Sequence, residues 1–138
     1  MKTNVAIIGG GIGGLMAAYQ LKVNKPGINV TIIERGFELE KRHCPAGHNK
    51  ACVHCKVCSI TGGYAGAGAF SDGKFNLGTA YGGYMGEELG ERMAMKYING
   101  VDDVLKSFSD DYPELYRSSE ELKLKCLQNN LRLLDMNV

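Results

Sequence analysis

The sequence predicts an α/β fold with a doubly wound parallel sheet, and three observations carry that prediction. A short apolar run, Asn4 to Ile8, leads into a glycine-dense turn, Gly9 to Gly14, and then into an apolar-periodic segment from Leu15 to about Val23. A second β-branched run, Ile28 to Ile33, follows and ends on Glu34 and Arg35. Strand, helix and strand at this spacing make a parallel crossover, and parallel strands need a larger sheet covered on both faces. Two strands are not that sheet, so the fold is expected to be incomplete within these 138 residues.

The helical segment predicts Leu15, Ala18 and Leu21 on its inward face, and Asn24-Lys25-Pro26-Gly27 stops it. From Gly36 to about Gly83 periodicity is lost and Gly, Cys, His and small residues dominate. A structureless stretch of that length is too long for a passive loop, so a ligand is expected to order it. Helical spacing returns from about Glu87 to Phe108, with Leu89, Met93, Tyr97, Val101, Val104, Leu105 and Phe108 on one packing face and Gly100 as a weak point. Ser118-Ser119-Glu120-Glu121 predicts a capping box opening a last helix to about Asn130, and Leu131 to Val138 predicts a further strand. Three segments result: a βαβ unit over 1–36, a Cys- and Gly-rich cofactor loop over 37–83, and a helical stretch with a terminal strand over 84–138.

Composition narrows the function. Sixteen Lys and Arg stand against fifteen Asp and Glu without long blocks of one sign, so no electrostatic footprint for nucleic acid or an acidic membrane exists. No stretch approaches the roughly eighteen uninterrupted apolar residues of a membrane span. Nineteen glycines are about twice average usage, and fifteen fall between Gly9 and Gly14 or between Gly62 and Gly90. Such local excess points to backbone held close to a ligand or in special conformations. Five cysteines, four of them crowded, favour a reducing cytoplasm over a secreted disulfide framework.

Gly9-x-Gly11-x-x-Gly14 is a weak motif alone and a strong one between a strand and a helix. Gly9 permits the tight turn, Gly11 lets backbone approach a pyrophosphate, and Gly14 lets the helix pack on the strand. Gly13 lies in the same N-terminal turn, where N–H groups and the helix dipole favour an anion. Glu34, twenty residues past Gly14, is placed to accept hydrogen bonds from an adenosine ribose, with Arg35 beside it. A carboxylate there disfavours a 2′-phosphate and hence NADP. FAD and NAD both use this Rossmann-like arrangement. Its position at the start of the chain favours FAD.

The motif Gly9 to Gly14, the Glu34-Arg35-Gly36 ending, the Cys-rich stretch from Arg42 to Cys58 and the string Gly66-Ala67-Gly68-Ala69-Phe70-Ser71-Asp72-Gly73-Lys74 together resemble the N-terminal part of the bacterial and archaeal FAD-dependent dehydrogenases, of the NAD(P)/FAD-dependent oxidoreductase type. The resemblance covers nearly the whole chain and implies FAD as cofactor, a small-molecule substrate and an electron donor or acceptor as partner. It also implies that Ser71, Gly73, Lys74 and Asn76 run along the pyrophosphate and flavin. Hydride chemistry would belong to the flavin, so no side chain is named as a catalytic acid or base.

Cys44, Cys52, Cys55 and Cys58 lie within fifteen residues, with His43, His48 and His54 interleaved. The Cys52-x-x-Cys55-x-x-Cys58 spacing suits an iron–sulfur cluster, a zinc site, a redox dithiol or simple reduced thiols. Cys126, on a helical apolar face, is expected in the core. Besides the FAD oxidoreductase, two other readings stay open: a small metal-cluster or nucleotide-binding module without catalysis, and an NAD-binding enzyme domain.

Overall fold

A computed structural model describes residues 4–47, 50–134 and 136–138, which form two compact units, one ending at Gly73 and the other beginning at Lys74. The first unit is built on β1 (Val5–Ile8), α1 (Ile12–Asn24) and β2 (Val30–Ile33). The strands are parallel, with Val5 opposite Val30 and Ile8 opposite Ile33. Gly9 N–H donates to the Ile33 carbonyl at 2.8 Å and carries the ladder one residue into the turn.

Helix α1 starts earlier than the apolar periodicity suggests, because Gly11 is its extended N-cap and Leu15 N–H already bonds the Gly11 carbonyl at 3.0 Å. Lys22 closes the far end by donating to the carbonyls of Pro26 (2.7 Å) and Ile28 (3.1 Å), which also places a cation at the negative end of the helix dipole. A Cβ at Gly14 would collide with the Gly9 carbonyl oxygen and stand 3.3 Å from Ile7 Cγ2, so glycine sets how closely α1 approaches β1. Leu15, Ala18 and Leu21 are half-buried. A sheet of two strands supplies too little surface to bury them fully.

The rest of this unit, Glu34 to Gly73, is loop with two 3₁₀ turns, Leu39–Lys41 and Gly66–Phe70. It is nevertheless bonded back onto the βαβ unit, as described below.

The second unit contains α2 (Met85–Leu89), α3 (Glu91–Lys106) and α4 (Glu120–Gln128). One helix from Glu87 to Phe108 was expected, with Gly100 as its weak point; the break falls instead at Gly90, whose φ of +75° glycine adopts freely. Gly100 sits inside α3, where it costs about 1 kcal/mol relative to Ala but does not interrupt the hydrogen bonds. The packing face also differs from the expected stripe. Val101, Val104 and Leu105 of that stripe are half-buried, as is Ile98, and Ala94 and Asp102 are buried, whereas Leu89, Met93, Tyr97 and Phe108 are exposed. Asp102 accepts from Lys106 Nζ at 2.5 Å and Tyr112 Oη at 2.9 Å, and these bonds, Lys106 first, hold its carboxyl below the usual range.

Helix α4 is capped by Ser119, whose Oγ accepts from Leu122 N–H at 3.2 Å. The reciprocal Glu of a capping box is missing because the cap is one residue later than Ser118, which puts Leu122 rather than Glu121 at the third helical position. Among the described residues of 131–138 no strand forms; Asp135 lies outside them. This segment makes an isolated antiparallel bridge, Asn137 to Leu77, and a reciprocal pair of backbone bonds between Val138 and Tyr116. No described helix is long and apolar enough to cross a membrane.

Candidate functional site

The end of the βαβ unit carries the site. Gly9 has φ +100°, the conformation its place in the tight turn was expected to need. Around a Cβ built on Gly11 nothing lies within 4 Å, and the same holds for Gly13, so the N-terminus of α1 opens onto free space. Ile8, Gly9, Ile33, Glu34 and Arg35 line a hollow of about 290 Å³ beside this turn. Its lining thus joins two apolar residues to one acidic and one basic residue. Ile8 is 79% exposed and offers the hollow an apolar surface.

Glu34 is held by the backbone. Its Oε2 accepts from Gly10 N–H at 2.6 Å, and its Oε1 accepts from Gly36 N–H at 2.8 Å and Gly63 N–H at 3.1 Å. These bonds, that of Gly10 foremost, keep the carboxyl below the usual range, so it is an anion at neutral pH. An ionised carboxylate offers about four acceptor directions. Gly10, Gly36 and Gly63 use three of them, and the Arg35 amide also stabilises the charge.

The loop from Ser59 to Gly66 lies directly on this turn. Three successive amides bind it: Gly63 N–H to Glu34, Tyr64 N–H to the Phe37 carbonyl at 3.3 Å, and Ala65 N–H to the Gly10 carbonyl at 2.8 Å. Gly36 and Gly63 pack backbone on backbone, since a Cβ on Gly36 would come within 2.6 Å of Gly63 Cα. Ala65, a non-glycine residue at φ +65°, adopts the left-handed conformation that alanine disfavours by roughly 1–2 kcal/mol. A Cβ on Gly66 would stand 3.6 Å from Gly11 Cα.

What organises this loop is Arg42, 3% exposed. Its Nε donates to the Ser59 carbonyl (2.9 Å), Nη1 to Tyr64 (2.6 Å), and Nη2 to Ile60 (2.7 Å) and Gly66 (2.8 Å). The guanidinium carbon lies 4.7 Å from the centre of the Phe70 ring. Sequence reasoning missed both Arg42 and the Gly36–Gly63 contact. In Glu38-Leu39-Glu40-Lys41-Arg42 the arginine reads as one more surface charge, and no local signal marks it as buried.

Of the second predicted group, Ser71 is exposed and its Oγ accepts from Gly73 N–H at 3.1 Å, with Gly73 at φ +76°. Lys74 is exposed and Asn76 half-buried; both belong to the other compact unit.

The predicted metal ligands are not brought together. Among the described residues no three or more His, Cys, Asp or Glu side chains form a group able to hold a metal ion; His48 lies outside the described residues. Cys52, Cys55 and Cys58 are exposed and Cys44 half-buried. Cys52 Sγ accepts from His54 N–H at 3.4 Å. The Cys58 thiol is drawn below its usual range chiefly by the Thr61 hydroxyl, then by the Thr61 and Ile60 amides, with Arg42 adding charge. Cys52 and Cys58 thus each have a local partner within their own loop.

A family model described as FAD dependent oxidoreductase matches residues 4–112, most of the chain. Curated relatives include the mitochondrial L-2-hydroxyglutarate dehydrogenases of Nematostella vectensis, 37% identical over 54 residues, and Caenorhabditis elegans, 38% identical over 56 residues. Those matches span 39% and 41% of this chain but only 11% and 12% of the relatives. No solved structure matches the chain significantly.

Proposed function

Since the chain belongs to the FAD dependent oxidoreductase family, we propose that its βαβ unit, residues 1–36, holds the ADP half of FAD for a flavin-linked dehydrogenation. The observation that carries the reading is the join of three features at one place. They are the open N-terminus of α1 at Gly11, the apolar hollow between Ile8 and Ile33, and the anionic Glu34 on its rim.

In this reading the pyrophosphate lies against the amides that follow Gly11, where the first-turn N–H groups lack intrahelical partners. The adenine occupies the hollow, covering Ile8. The ribose hydroxyls donate to Glu34 Oε2. Arg35 borders the adenosine end. Ser71 and Gly73, in the same unit as the turn, serve the pyrophosphate end, a role supported by their donor chemistry and by the family. Bound FAD would supply the hydride acceptor. This chain's own residues bind it, orient it and exclude water from its adenosine end.

The named relatives act on a 2-hydroxy acid. For this chain we propose the broader class, oxidation of a small-molecule substrate with electrons passed to a partner. Five free thiols support a reducing compartment such as the cytoplasm. The site favours FAD or NAD over NADP, because a 2′-phosphate would face an ionised Glu34.

The test is a pair of titrations of the labelled chain, one with ADP and one with ADP carrying a 2′-phosphate. ADP should bind more tightly by about tenfold or more, the cost of juxtaposing like charges, and should shift the amides of Gly9–Gly14 and Glu34–Gly36. Equal affinity for the two nucleotides, or shifts confined to other residues, would overturn the reading.

A further inference from the structure

We propose that Arg42 is the positioning residue of the dinucleotide site: its guanidinium fastens both arms of the 59–66 loop, and the fastened loop holds the Gly10 turn and Glu34 in their ligand-ready places. The inference rests on the nucleotide reading above and adds a residue that touches no part of the ligand.

A guanidinium is almost never fully buried unless its donors are satisfied, and Arg42 is 3% exposed. Four of its five N–H groups are used, all on backbone carbonyls. Two of the carbonyls, Ser59 and Ile60, open the loop, and the other two, Tyr64 and Gly66, close it. One planar fork therefore ties the two arms together, and the Phe70 ring covers the cation. Lysine cannot replace it, since a single ammonium has three donors radiating from one point.

The loop so tied delivers its amides to the site. Gly63 and Ala65 lie between the Arg42 acceptors Ile60 and Gly66, and their N–H groups end on Glu34 and on the Gly10 carbonyl. A Cβ on Gly63 would come 2.8 Å from Arg42 Cδ and 2.6 Å from the Phe37 carbonyl oxygen, so the loop is seated against the arginine stem itself. The Gly10 peptide is gripped on both sides, its N–H by Glu34 and its carbonyl by Ala65. A ligand that finds this turn already ordered spends less of its binding energy on ordering it.

Amide exchange on the ¹⁵N-labelled full chain, with an ADP titration alongside, tests this. In the unaltered chain the Arg42 Nε–H and the Gly63 and Ala65 amides should be protected. In Arg42→Lys the Gly63 and Ala65 amides should exchange about tenfold faster, while the Ile7 and Ile32 amides of the β1–β2 ladder keep their rates and ADP binds roughly fivefold more weakly. A merely structural role would move the ladder as well. Unchanged Gly63 and Ala65 exchange in Arg42→Lys, beside normal ADP binding, overturns the inference alone. No ADP binding to the unaltered chain overturns the nucleotide reading. If Arg42→Lys loses the ladder, Phe70→Leu decides: faster Arg42 Nε–H exchange with weaker ADP binding supports the inference, and no change in either contradicts it. An Arg42 Nε–H that exchanges at the free rate in the unaltered chain contradicts it outright.

Discussion

Two glycines three residues apart should fail in opposite ways when given side chains. Gly14 lies against β1, and a Cβ there collides with the Gly9 carbonyl oxygen. Gly14→Ala gains about 1 kcal/mol of helix propensity, but forcing an atom into filled space costs roughly 1–3 kcal/mol or more. Because the obstacle is backbone and cannot rotate away, the cost falls at the upper end of that range and leaves a net loss of about 2 kcal/mol. Gly11 is the contrary case. Its backbone is extended, φ −71° and ψ 179°, a conformation valine adopts readily, and its built Cβ meets nothing within 4 Å. Gly11→Val should therefore change stability by less than about 1 kcal/mol. The isopropyl group would occupy the space assigned to the pyrophosphate, and losing even one charge-assisted bond lowers affinity by about tenfold or more. Urea unfolding of each variant, paired with equilibrium dialysis against ADP, separates the two effects. A Gly11→Val chain that binds ADP normally, or a Gly14→Ala chain as stable as the unaltered one, would refute the reasoning.

Three further outcomes are expected. Because Glu34 titrates below its usual range in the folded chain, its contribution is present above the unfolded value and is lost as pH falls through the folded one; the stability difference between the unaltered chain and Glu34→Gln should shrink as the pH falls below the usual carboxylate range, and a pH-independent difference would count against it. Cys58 should be the first thiol alkylated by iodoacetamide near neutral pH, and Thr61→Val should slow that reaction, since the Thr61 hydroxyl is the main support of the thiolate; prior chelation should leave the rate unchanged, and an increase would show a metal held by Cys44, Cys52, Cys55 and Cys58. Passed through gel filtration with FAD, these 138 residues should emerge with a flavin-to-protein ratio well below one, because a two-stranded sheet and an open hollow bury little of so long a ligand; a ratio near one would show that the site is complete within them.

The βαβ unit was legible because its signals are local. The apolar and β-branched runs, the glycine turn and the acid at the end of β2 each depend on residues close in sequence, and each lies within a few residues of its expected place. The boundary of α1 was misread for the same kind of reason: Ile12, Gly13 and Gly14 carry no apolar periodicity, yet Gly11 already caps the helix. In the second unit a glycine count could not tell Gly90 from Gly100. Only φ does so, positive at Gly90 and not at Gly100. The grip of Arg42 on carbonyls 17 to 24 residues away leaves no trace in spacing, since backbone acceptors are the same at every residue. For the cysteines, spacing was legible and convergence was not, because a Cys-x-x-Cys-x-x-Cys run closes on a metal only if the loop coils its sulfurs inward.

The most direct test of the central claim is the crystal structure of the chain grown with saturating ADP. Pyrophosphate density is expected against the amides following Gly11 at the start of α1, adenine between Ile8 and Ile33, and ribose hydroxyls within hydrogen-bond distance of Glu34 Oε2. ADP bound elsewhere on the chain, with the Gly9–Gly14 turn bare, would contradict it.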